Sequence, residues 1–99
     1  MKAQRFKQDE IPYFCFDRNW TTAQIQSRCS KAGSPQWLTT TAWLMREANF
    51  PDVWFFVTPQ EINIHLEILA PQLGKHTAFW RFIIGEWREL GKISRPDAA

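Results

Sequence analysis

Four side chains in this 99-residue chain have the chemistry to hold a metal ion or attack a carbon: Cys15, Cys29, His65 and His76. Thiolate sulfur and imidazole nitrogen are the usual zinc ligands, and compact zinc sites place ligands two to four residues apart. No pair here is that close. The spacing predicts buried cysteines, surface histidines and no metal site. A cysteine with a histidine and an acid can act as a nucleophile, but no family signature surrounds either thiol. Gly33, Gly74, Gly85 and Gly91 are each isolated, which removes a phosphate-cradling loop. The expectation is a non-enzymatic protein with no cofactor, one that works by binding.

Composition points to what it binds with. Six Trp and eight Phe are a large aromatic load for a chain of this length. So small a body hides only part of it, and one or two rings are expected at an interface, where Trp is favoured. Trp43 is the first candidate. On a helical wheel it stands with Thr39 and Arg46, away from Trp37, Leu44 and Ala48. It either meets a partner or covers an N-terminal segment around Tyr13 and Phe14. Trp54 and Trp80 are the other candidates for contact with a protein partner.

The net charge, +2, is too small to create a strong field for nucleic acid. Its distribution is uneven. Residues 51–73 hold Asp52, Glu61 and Glu67 and no Lys or Arg. Residues 74–95 hold Lys75, Arg81, Arg88, Lys92 and Arg95 against Glu86 and Glu89. No apolar run follows Lys2, Arg5 and Lys7, so no secretory signal is expected. No stretch approaches the roughly 20 apolar residues of a membrane span. With two cysteines, the default is a cytoplasmic protein with reduced thiols and no membrane association.

The elements that must position these residues are punctuated clearly. A single domain over 1–99 is expected, with 1–10 and 96–99 frayed. Ile11 to Phe16 reads as a strand or an extended segment on the core. Thr21 with Gln24 fits a capping box, and Ile25, Cys29 and Ala32 follow on one side until Gly33. Ser34 and Pro35 start the next helix, with Trp37, Leu38, Thr41, Leu44, Met45 and Ala48 on one face. It ends at Asn49-Phe50-Pro51-Asp52. Val53 to Val57 is aromatic and β-branched, which predicts a strand.

Thr58-Pro59-Gln60-Glu61 is the clearest cap. Ile62, Leu66, Leu69 and Leu73 continue a helical face. Residues 61–68 also alternate strictly, Glu-Ile-Asn-Ile-His-Leu-Glu-Ile, as a strand does. The cap and the continuation favour helix over 59–72. The alternative is a small antiparallel sheet that includes 53–57 and 61–68, with helices packed on it. A final helix is predicted over 77–90, ended by Gly91, with a strand stub over 92–95. Its apolar residues, Phe79, Trp80, Phe82, Ile83, Ile84, Trp87 and Leu90, span about 200° of the wheel. That is wider than a single core contact needs and predicts burial on two sides, by the core and by a second subunit. The remaining sector holds Arg81, Gly85, Arg88 and Glu89.

Leu69 and Ala70, Leu73 and Gly74, then Trp80, Ile84 and Trp87, then Gly91 and Ile93 resemble the second and third helices of a winged helix-turn-helix domain. The order helix 35–49, strand 53–57, helix 59–72, helix 77–90 and strand stub is similar to that family's. The resemblance implies a mainly helical α+β fold and a small DNA-binding regulator that docks helix 77–90 on DNA, as a dimer. Lys75, Thr77, Arg81, Arg88 and Arg95 would face phosphates and base edges. The competing expectation is a protein-interaction module or small inhibitor of a larger complex, using Trp43, Trp54 and Trp80.

Overall fold

Helices begin where the sequence supplies caps. A computed structural model of the chain describes residues 5–93. In it, α1 (Thr22–Arg28) is opened by Thr21, whose hydroxyl accepts from the Gln24 amide at 3.2 Å while Gln24 Oε1 accepts from the Thr21 amide at 2.8 Å. α2 (Pro35–Glu47) is capped by Ser34, with Pro35 in the first turn. A four-residue helix, α3 (Phe50–Val53), follows. α4 (Pro59–Leu69) carries the reciprocal Thr58–Glu61 box. Two 3-10 turns, Ala70–Gln72 and Gly74–His76, lead to α5 (Thr77–Glu89). There the Thr77 hydroxyl bridges the carbonyls of Ala70 and Gly74 at 2.9 Å each, closing the bend between α4 and α5.

No strand occurs among the described residues, so the winged-helix and α+β expectations are both overturned. The isoleucine alternation over 61–68 belongs to a helix. Two hydrogen bonds at Thr58 and Glu61 commit the first turn, and Leu66 and Leu69 extend the buried face. Residues 53–57 also fail to form a strand. Asp52 and Val53 close tight turns, with the amides of Phe55, Phe56 and Val57 bonded to their carbonyls at 3.0–3.1 Å. The β-propensity of this run is overridden because its rings pack inward: Phe55 and Phe56 both meet Phe6, at 5.4 and 5.8 Å. Lys92 and Ile93 form no strand stub, and residues 94 and 95 lie outside the described residues.

The core is built on α2, which is buried on more than one side. Trp37, Leu44 and Met45 pack with Ile62, Leu66 and Leu69 of α4, Trp80 and Ile84 of α5, and Ile25 of α1. Its second side is covered by the segment before α1. That segment has no regular helix, yet Phe6 and Phe14 are fully buried. The Gln8 and Glu10 carbonyls accept from the Ala23 and Thr22 amides, which occupies donors that the first turn of α1 leaves open. Residues 5–10 are thus held to α1 through Gln8 and Glu10 and to the core through Phe6; 1–4 and 94–99 lie outside the described residues.

The α1–α2 turn is pinned to α4. Gly33 stands at φ +86°, and a Cβ there would lie 2.9 Å from Nε2 of His65. The His65 ring in turn lies 4.9 Å from that of Trp37. A side chain at Gly33 would meet both backbone strain and that ring.

Candidate functional site

α5 is amphipathic, and its polar sector is turned toward α4. Arg81 makes two hydrogen bonds to Glu67, Nη1 to Oε2 at 3.0 Å and Nη2 to Oε1 at 3.2 Å. Arg88 Nε donates to Asn63 Oδ1 at 2.6 Å. Asn63 and Glu67 are one turn apart on α4, as Arg81 and Arg88 are two turns apart on α5, so these bonds lay the two helices side by side. The Arg81 guanidinium holds the Glu67 carboxyl below its ordinary range. Both side chains are largely exposed, so this pair sets the register of the helices more than their stability.

With the polar sector committed sideways, part of the apolar sector faces outward. Trp80 and Ile84 take the core. Phe82 is 61% exposed, Leu90 66% and Phe79 44%. On α4, Ile64 and Ile68 are 53% and 55% exposed and lie one turn apart. Each sits one residue beyond a side chain that bonds across to α5, as Phe82 sits one residue beyond Arg81. The outer surface of the pair therefore has Ile64 and Ile68 on one helix and Phe82 on the other, with the Glu67–Arg81 pair crossing between them. On the side of α5 away from α4, Phe79 meets Phe50 edge to face at 5.7 Å. An open cleft of about 390 Å³ ends the face, lined by Glu67, Ala70, Pro71, Gly74, Thr77 and Arg81.

The residues expected to meet DNA are thus scattered in role. Arg81 and Arg88 bond to α4, Thr77 bonds to backbone carbonyls, Lys75 is exposed, and Arg95 lies outside the described residues. The tryptophans expected at a partner surface are mostly interior. Trp43 is 3% exposed, roofed by Phe14 at 5.5 Å and Trp20 at 5.2 Å, which is the covering role for the N-terminal segment. Trp80 is buried and donates from Nε1 to the Met45 carbonyl at 2.9 Å. Trp54 is half-buried, wedged against Trp80 and Trp87. Phe79, Phe82 and Leu90, which the wide apolar span of α5 marked for burial on a second side, are exposed in the single chain, and sequence reasoning did not single out the exposed Ile64 and Ile68. The signal for these two was present in isoleucines left over from the buried face of α4.

The thiols and imidazoles do not converge. Among the described residues no group of three or more His, Cys, Asp or Glu is placed to hold a metal ion. Cys15 is half-buried and Cys29 buried, and burial pushes the Cys29 thiol from about 9 to about 12. Labelling near pH 8 is expected to modify Cys15 first and Cys29 only on unfolding; equal rates for both in the folded protein would contradict this burial. Cys29 stays protonated when the unfolded thiol ionises, so its contribution is whole below pH 9 and is lost as pH rises from 9 toward 12. The unfolding free energy measured by denaturation should fall over that window, by up to about 1.4 kcal/mol per pH unit from this group.

No helix among the described residues is long and apolar enough to cross a membrane. Comparison with known proteins finds no protein-family model, no curated protein and no solved structure that matches this chain.

Proposed function

We propose that this chain is a protein-interaction module that binds its partner on the outer surface of α4 and α5 and performs no chemistry of its own. The observation that carries this reading is the joint exposure of Ile64, Ile68 and Phe82 on two helices that lie side by side. Single exposed apolar residues are ordinary, but a contiguous set is the mark of a contact surface. Two helices side by side offer a groove for an apolar helical partner. DNA docking by α5 draws less support from the geometry, because Arg81 and Arg88 would have to leave Glu67 and Asn63 to reach phosphates.

The test is capture of partners by cross-linking in the native cells, with three baits. The wild type is compared with Ile68→Glu/Phe82→Glu and with Phe16→Glu, a substitution at a side chain 78% exposed on the N-terminal segment. Central anchors of an interface are each worth about 2 kcal/mol or more. The double variant should therefore lose the partner while keeping its helical circular dichroism, and Phe16→Glu should retain it. Identical partners for all three baits would reject the proposal.

A further inference from the structure

We infer that the occupant of this surface is a second copy of the chain, with α5 crossing its counterpart antiparallel at Gly85. This deepens the interaction-module reading and rests on it. Gly85 has no explanation within the single chain. Gly85 lies in the middle of α5, where glycine is the least favourable residue after proline. Its φ is not positive, and a Cβ added there would meet nothing within 4 Å in its own chain. Neither backbone conformation nor internal packing calls for it. Gly85 stands one turn after Arg81 and one turn before Glu89, and within a turn of the exposed Phe82, with open space where its side chain would be. A glycine at such a place lets another backbone come close.

The order of charges along α5 says which helix fits. Arg81 lies four residues before Gly85 and Glu89 four residues after it. In a two-fold antiparallel crossing centred on Gly85, Arg81 of one copy faces Glu89 of the other, and the symmetry makes this contact twice. A parallel crossing would set Arg81 against Arg81 and Glu89 against Glu89. Arg81 is bound to Glu67 through Nη1 and Nη2, so its Nε lies outside that pair. Glu89 is also engaged within its own chain, and a carboxylate accepts from more than one donor. The same crossing brings Phe82 and Ile64 of both copies under cover, which accounts for their exposure in the single chain.

Sedimentation equilibrium over a wide concentration range, together with oxidative cross-linking, tests this. The wild-type chain is expected to sediment as a dimer at high concentration and dissociate on dilution. Gly85→Leu should weaken association at least tenfold with the melting temperature retained or raised, because the chain itself has room for the side chain. Gly85→Cys in a Cys15→Ser background should form a disulfide-linked dimer under mild oxidation, because the two-fold axis puts residue 85 against itself. Phe16→Cys in the same background should not. A wild type that is monomeric at every concentration overturns the inference, as does a dimer indifferent to Gly85→Leu. If the chain is monomeric yet loses a different protein on Ile68→Glu/Phe82→Glu, the interaction-module reading stands and the second copy is rejected.

Discussion

Replacing Trp80 by alanine is expected to cost about 3–5 kcal/mol, measured by chemical denaturation. A domain of this size is stable by only about 5–15 kcal/mol, so the variant should lose a large share of its folding free energy. The size of the effect comes from three roles held by one ring. Trp80 is 1% exposed and fills the space between α5 and the C-terminal half of α2. It meets Trp54 edge to face at 5.6 Å, and Trp54 in turn leans on Trp87. Its indole N–H also satisfies the Met45 carbonyl near the end of α2, where no helical amide is left to do so. Trp80→Phe separates these roles. It keeps most of the apolar contact and gives up the hydrogen bond, so a loss of about 1–3 kcal/mol is expected. Equal losses for both variants would show that packing volume contributes little, contrary to the burial seen here.

Asp52→Ala should cost roughly 2–3 kcal/mol, in line with loss of hydrogen bonds to a charged group. Asp52 is nearly buried and joins three parts of the chain. Its carboxylate accepts from Arg5 Nε at 3.0 Å and from the Tyr13 hydroxyl at 2.7 Å. The Tyr13 oxygen accepts in turn from the Asn49 amide at 2.9 Å, at the start of α3. Removing the carboxylate frees both clasps that hold the segment carrying Phe6 and Phe14. Arg5 remains half-exposed and is rehydrated, which keeps the loss below that of a fully buried pair. The signature should be local as well as global. Amide exchange should accelerate at Thr22 and Ala23, whose donors depend on the Gln8 and Glu10 carbonyls. Tyr13→Phe removes one clasp and should show a smaller loss with the same pattern. An Asp52→Ala protein with unchanged exchange at Thr22 and Ala23 would contradict the clasp.

Burial, together with the bond to Asp52, also raises the Tyr13 phenol above its ordinary value. Tyr13 therefore acts in the same direction as Cys29. Its contribution is whole below about pH 10 and is lost above it, as the unfolded phenol ionises first.

The helices were legible in the sequence because their starts are decided by neighbours. Thr21 with Gln24, Ser34 with Pro35, and Thr58 with Glu61 satisfy backbone donors within four residues, and each opens a helix where that spacing places it. The same locality resolves the isoleucine alternation over 61–68 in favour of α4. Tertiary structure decided what those helices present. Trp43 has the wheel position of an exposed residue, and it is buried because Phe14 and Trp20, far from it in the chain, come to cover it. The run 53–57 has the composition of a strand, and it turns because Phe6 offers its rings a packed site. Arg81 and Arg88 look like an outward cationic face in sequence, and they lie against Glu67 and Asn63, which are 14 and 25 residues away. A cap depends on contacts that any chain of that local sequence makes. A face depends on which of several apolar stripes wins a core too small for all of them, and on α5 the stripe of Phe79, Phe82 and Leu90 was left outside.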